Sequence, residues 1–175
     1  MDRRHFLTLL PAVALAACAP TPPQVGLDGE APPRLYRISG ADAKRVPFRA
    51  LDAVNELRAG AGATQLQLDE RLTAAAATHA RDMSLQNRPW HFGSDGSSPI
   101  DRAQRAGFQG NLLGEAISET YESELETIAA WMQEPGPRRI ILDPQARRMG
   151  FAFFQERNGK IWWTLNTGTD PIAAF

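Results

Sequence analysis

Apolar residues recur at helical intervals in several stretches of the chain. Phe48, Leu51, Val54 and Leu57 fall three apart, which predicts a helix with one apolar face, ended by Gly60 and Gly62. A second and longer helix follows Asp69, an N-cap residue with Glu70 in the first turn. Its stripe is Leu72, Ala75, Ala76, His79, Ala80 and Met83, and Pro89 closes it. Ser98-Pro99-Ile100-Asp101 combines a cap, a proline at the first helical position and an acid three residues after the cap, so a short helix runs to about Ala106 and stops at Gly107. Leu125, Ile128, Ala129 and Met132 predict another helix over Tyr121–Met132, broken by Pro135-Gly136-Pro137, with one further turn at Ile140–Leu142.

Strand patterns lie between and after these helices. Leu112–Ser118 reads as a strand, and Phe151–Arg157 with Lys160–Thr167 reads as a hairpin around Asn158-Gly159, the signal for a type I′ turn. Leu66-Gln67-Leu68 is too short to classify, and the ambiguous stretch Arg34–Lys44 allows a strand at Leu35–Ile38. Trp162 and Trp163 are adjacent in a strand and so point to opposite faces; one belongs in the core and the other is expected to be partly exposed, free to touch a partner or lipid. The pattern as a whole is that of an α+β layered domain, an antiparallel sheet covered by helices.

The N-terminus is of another kind. Met1-Asp2-Arg3-Arg4-His5 precedes an apolar run from Phe6 to Ala17 and then Cys18. A charged start, a short apolar core and small residues at a boundary describe a signal peptide over 1–17. That core is too short to span a bilayer, which takes about 20 residues. Arg3-Arg4-x-Phe6-Leu7 resembles a twin-arginine export signal, with Asp2 where Ser or Thr is usual. Leu15-Ala16-Ala17-Cys18 resembles a lipobox, so Cys18 is the expected lipidation site and membrane attachment follows without a spanning helix. Residues 18–45 form a proline-rich tether, 46–170 the folded domain and 171–175 a tail. The expected location is outside the cytoplasm, as a cell-membrane lipoprotein facing the periplasm or the exterior.

Charge and cysteine usage narrow the chemistry. With 19 Lys+Arg against 20 Asp+Glu, the net charge of -1 leaves no basic excess for nucleic acid. One cysteine excludes an intrachain disulfide framework and a cysteine zinc site. His79 sits on the apolar stripe and reads as a buried, hydrogen-bonded core residue, whereas His91 opens a Gly-rich loop, Phe92-Gly93-Ser94-Asp95-Gly96, where reactive groups collect. Glu115 interrupts the apolar strand Leu112–Ile117 and must be paired, protonated or bound to something. Glu134 follows Trp131 at a helix end, where an exposed acid is the simpler reading. Glu119, Glu122, Glu124 and Glu126 read as a solvated acidic face, and Ser94, Ser97 and Ser98 lack a nucleophile elbow.

A resemblance joins these residues. Leu51-Asp52-Ala53-Val54-Asn55-Glu56-Leu57-Arg58, Leu66-x-Leu68-Asp69-x-x-Leu72, Ala80-Arg81-Asp82-Met83, His91-x-Gly93-Ser94-Asp95-Gly96, Asp101-Arg102-Ala103, Ala106-Gly107-Phe108, Gly114-Glu115-Ala116 and Met149-Gly150-Phe151 occur in the order of the CAP superfamily, or SCP domain, of cysteine-rich secretory, antigen 5 and pathogenesis-related 1 proteins. The resemblance spans about residues 47–168 and implies a three-layer α-β-α sandwich with a central antiparallel sheet. It also implies a cleft of two histidines and two glutamates, in some members around a divalent metal. His91 matches the first histidine, Glu115 the first glutamate, and Glu134 lies near the second. The second histidine falls where this chain has Pro137, in Pro135-Gly136-Pro137-Arg138.

Losing that imidazole leaves His91, Glu115 and Glu134 as a poor ligand set for zinc, so at most a weakly bound divalent metal is expected and no cofactor is required. Arg138, folded inward, would neutralise Glu115 or Glu134. The expectation is a non-enzymatic binding module for a small apolar ligand, an envelope component or a protein partner. The alternatives are a divalent-metal-assisted hydrolase using His91 and Glu115, and a structural envelope protein with an inert cleft.

Overall fold

The structure is a computed structural model that describes residues 35–171. The expected signal peptide, Cys18, the greater part of the tether and the last residues of the tail lie outside that range. In chain order the elements are α1 (Gly40–Ala43), α2 (Val46–Gly60), β1 (Gln67–Leu68), α3 (Glu70–Gln86), α4 (Pro99–Arg105), β2 (Leu112–Glu119), α5 (Glu124–Trp131), α6 (Pro135–Ile141), β3 (Arg148–Gln155) and β4 (Ile161–Gly168).

The sheet has the order β1-β3-β4-β2. β3 and β4 form an antiparallel hairpin, β2 runs antiparallel on the other side of β4, and β1 pairs parallel with β3 over two residues. All of β4 is buried because helices cover both faces of the sheet. On one face Val46, Ala50 and Val54 of α2, Ile128 and Trp131 of α5 and Ile141 of α6 pack with Phe151, Trp163 and Leu165. On the other, Ala80 and Met83 of α3 pack on Trp162, Ile117 and Phe154. The result is a three-layer α-β-α sandwich. Gly150 sets the distance of α3: a Cβ there would lie 2.2 Å from the backbone carbon of Leu72, so the helix backbone rests directly on β3.

The local signals hold where they are strongest. Asp69 accepts from the amides of Arg71 and Leu72 to start α3, and Ser98 and Asp101 form a reciprocal capping box on α4. Helix α3 ends at Asn87 in the left-handed conformation (φ 52°), before Pro89 is reached. Other expectations are corrected. Leu35–Ile38 is not a strand; it is strapped to β3 by the Gln155 side chain, which accepts from the Ile38 amide and donates to the Tyr36 carbonyl. Ordered structure begins before Val46, because Ser39 caps the short α1. Pro135 starts α6 at its first turn, where no amide hydrogen is needed, and so makes a seven-residue helix out of the stretch read as a break.

The hairpin turn is not type I′: of its loop residues only Gly159 takes a positive φ (97°). Asn158 instead accepts from the Lys160 amide and donates to Glu156. Phe48 is exposed at 61%, since the buried face of α2 is set by the four-residue spacing Val46-Ala50-Val54-Arg58, and Leu125 of α5 is exposed at 53%. Neither Trp162 nor Trp163 is exposed, because β4 is covered on both faces. Glu124, read as part of a solvated face, is buried and paired with Arg49.

Candidate functional site

Glu115 stands opposite Asn166 in the β2–β4 register and so faces the α3 layer. Its side chain is 1% exposed. Charge burial of this kind requires a partner held at short range. That partner is Arg102, on the first full turn of α4, which the Ser98–Asp101 capping box aims along the strand. Arg102 Nη2 donates to Glu115 Oε2 at 2.8 Å and to the His91 carbonyl at 2.9 Å, while Nη1 donates to the Ser97 carbonyl at 2.9 Å. A guanidinium is a planar fork of N–H donors, so one side chain serves all three acceptors. The neutralising cation sequence reasoning sought at Arg138 is Arg102. Arg138 is exposed on α6 and makes no hydrogen bond to Glu115 among the described residues.

The other carboxylate oxygen is also taken. His91 Nδ1 donates to Glu115 Oε1 at 3.0 Å, with the imidazole about half exposed and Nε2 free of hydrogen bonds among the described residues. His91 lines a shallow pocket of about 280 Å³ whose walls are Pro99, Ile100, Leu112 and Leu113. The loop that carries it is fixed from below. His79 Nε2 donates to the Trp90 carbonyl at 2.9 Å, which dictates the tautomer because a carbonyl only accepts. Burial pulls the His79 pKa below its ordinary value, against the attraction of Glu115 3.6 Å away, and the ring is neutral. Its Nδ1 lone pair is buried without a partner. His79 is thus the buried, hydrogen-bonded residue expected, and it is also the floor of the site.

Glu134 does not join this group. It is exposed as the N-cap residue of α6 and makes no side-chain cap bond. Pro137 follows half-buried in the same helix. Ser94 and Ser98 spend their hydroxyls on Asp82 and Asp101, and among the described residues no hydroxyl or thiol is hydrogen-bonded to the His91 ring. For zinc the donor set does not fit: both Glu115 oxygens are engaged, one by a cation, and only His91 Nε2 remains open. Among the described residues no three His, Cys, Asp or Glu side chains are grouped to hold a metal ion.

A second concavity lies on the opposite layer. Between α2 and α5 is a groove of about 550 Å³ with walls of Ala53, Leu57, Leu125, Ile128 and Met132, and with Glu56 and Gln133 also lining it.

The helix-covered sheet that carries these residues has counterparts among known folds. A model of the cysteine-rich secretory protein family, CAP, matches residues 51–167. The chain belongs to the CAP family. The CAP domain is 29% identical over 114 residues to the uncharacterized protein YkwD of Bacillus subtilis, a match that covers 65% of this chain and 44% of the relative. An extracellular SCP-domain protein from Bacillus anthracis superposes with a TM-score of 0.67 at 20% identity, over 77% of this chain and 45% of the other. An outer surface protein from Borrelia burgdorferi gives 0.64 at 16% identity, over 70% and 90%. The chain spans less than half the length of both Bacillus proteins. Within the CAP domain, two of the motifs read from sequence are the two halves of the buried pair: Asp101-Arg102-Ala103 supplies the guanidinium and Gly114-Glu115-Ala116 the carboxylate. Arg102 itself had no chemical role assigned from sequence. The signal is the demand of Glu115 for a cation, but spacing does not choose Arg102 over Arg105, which is nearer in the chain, lies on the same capped helix and pairs with Asp95.

Proposed function

We propose that this CAP protein is exported, held at a membrane by an acylated Cys18, and binds a small apolar molecule without hydrolysing it. The α2–α5 groove carries the reading. Its volume of about 550 Å³ lies within the usual range for small-ligand sites, and its walls are aliphatic, with polar side chains at Glu56 and Gln133. A slender, mostly aliphatic ligand with one polar group suits that lining. Export is supported by the signal-like residues 1–18 and by the extracellular and outer-surface character named for the Bacillus anthracis and Borrelia relatives.

The Arg102–Glu115–His91 group then acts as a lock that fixes the His91 loop on the sheet. Hydrolysis gains no support from it, since the carboxylate is spent on holding Arg102 and His91 and, among the described residues, no hydroxyl or thiol is hydrogen-bonded to the imidazole.

Solvent extraction of the membrane-purified protein, followed by mass spectrometry, tests the ligand. An apolar molecule retained by the wild type and lost from Ala53→Trp, which fills the groove, is the expected result. Equal retention by both, or none by the wild type, contradicts it. The anchor is tested separately: the N-terminal peptide should carry an acylated Cys18, and a free N-terminus elsewhere overturns that part.

A further inference from the structure

The chain enters the described domain at one end of the sheet, beside the tip of the β3–β4 hairpin. Leu35 lies against Gly159, where an added Cβ would sit 3.3 Å from its Cδ2, and Arg37 donates to the Glu156 carbonyl at 2.9 Å. The C-terminal end of α3 reaches the same tip. Ser84 Oγ donates to Glu156 Oε1 at 2.8 Å, and Lys160 Nζ donates to Asn87 Oδ1 at 3.3 Å. Beyond α3 the chain folds back along that helix, held by Gln86 Nε2 on the Phe92 carbonyl at 3.1 Å and by His79 on the Trp90 carbonyl.

This end carries large apolar side chains that the core does not use. Leu35 is 58% exposed, Leu85 76%, Trp90 41% and Phe92 47%. Trp90 and Phe92 meet at a tilt of 53° with ring centroids 5.4 Å apart, and the Arg88 guanidinium lies 4.0 Å over the Trp90 ring. Arg37, Arg88 and Arg157 are all exposed, and none has a carboxylate partner among the described residues. The two acids nearest the hairpin tip are already held, Glu119 by Lys160, and Glu156 by Ser84, Trp162 and Asn158. Exposed Trp and Phe beside unpaired arginines is the composition of a side that lies at the headgroup level of a bilayer, with rings in the interface and guanidinium groups on lipid phosphates.

The geometry points to a membrane-contacting surface: the end of the CAP domain formed by Leu35, Leu85, Arg88, Trp90 and Phe92 rests on an anionic bilayer. The inference takes its setting from the membrane-held reading above. An acylated Cys18 would place the bilayer within reach of Leu35, because the 16 residues between them, 17 peptide steps, span at most about 60 Å when extended. The surface would orient the domain, directing the hairpin tip toward the lipid.

The test uses unacylated protein beginning at Ala19, so that neither lipid chains nor the signal segment contribute. Residues from Leu35 onward form a compact unit containing all three core clusters, so this protein folds as the described domain does. Sedimentation with phosphatidylglycerol vesicles should carry the protein down, phosphatidylcholine vesicles should do so far less, and added salt should release it. Trp90 is the exposed tryptophan of the four; Trp131, Trp162 and Trp163 are buried. Binding should therefore shift tryptophan emission to the blue, and Trp90→Phe should lose the shift while keeping the binding. Trp90→Ser with Phe92→Ser, or Arg88→Glu, should weaken partition about tenfold or more, whereas Arg139→Glu on α6 should leave it unchanged. Thermal melts show that each variant is folded. No partition of the wild type into phosphatidylglycerol, or undiminished partition of the double serine variant, overturns the inference. Acylation of Cys18 is read independently, so a failure of the anchor and a failure of this surface give different results.

Discussion

Replacing Arg102 with alanine leaves the Glu115 carboxylate buried and without its cation. The side chains of the pair are 5% and 1% exposed, so water does not take over the lost contact. Breaking one side of such a pair costs about 3–5 kcal/mol. The same change orphans the carbonyls of Ser97 and His91, which loosens the loop that presents His91. For a protein of this size each kcal/mol is worth about 2–4 °C, so the midpoint should fall by about 6–20 °C in a calorimetric or circular-dichroism melt. Arg102→Lys should recover only part of this, because one ammonium group cannot reproduce the fork that serves three acceptors. Arg102→Met combined with Glu115→Leu removes both charges and should recover most of the stability, giving a coupling of about 2 kcal/mol or more in a double-mutant cycle. A cost below about 1 kcal/mol for Arg102→Ala would be that of an exposed ion pair. That result would refute the argument that a buried lock holds the site.

Two further outcomes follow from buried groups on either layer. Arg58, fully buried, donates to the carbonyls of Thr64, Ile141, Asp143 and Ala146, so Arg58→Ala should cost about 3 kcal/mol or more in urea denaturation; a loss under 1 kcal/mol would show that water replaces it. His79 sets a pH dependence: burial depresses its pKa in the folded state below the ordinary 6.5, so the unfolded chain takes up the proton first. Stability from this residue is full above about pH 6.5 and is lost as pH falls through that value toward the folded pKa, at up to about 1.4 kcal/mol per pH unit. His79→Gln should flatten the midpoint-against-pH curve between about pH 7 and 5, and an unchanged slope would contradict the assignment.

What the sequence made legible was local. The Asp69 and Ser98 caps, the stripe of α3 and the β2 pattern each act within a few residues, and each appears where its pattern places it. What it left obscure depends on neighbours far along the chain. Trp162 and Trp163 both vanish into the core because layers on two sides cover β4, a fact no strand periodicity contains. The same holds for Glu124, whose burial depends on Arg49 of a helix 75 residues away in sequence. At the site, an acid within an apolar strand called for a cation. Sequence proximity to the CAP glutamate positions favoured Arg138, while the fold delivers Arg102. Proline in Pro135-Gly136-Pro137 reads as a breaker or as a helix start by the same chemistry, and only the chain's path decides between them.

Glu115 is committed to Arg102 and His91, and among the described residues no zinc ligand set is left in the CAP cleft. A melting scan of the protein with increasing zinc tests it most directly. The midpoint should not move in a saturable way, equally for the wild type and for His91→Ala. Zinc at about 100 times a real dissociation constant would add about 2.7 kcal/mol. A saturable rise of that size in the wild type, abolished in His91→Ala, would contradict it.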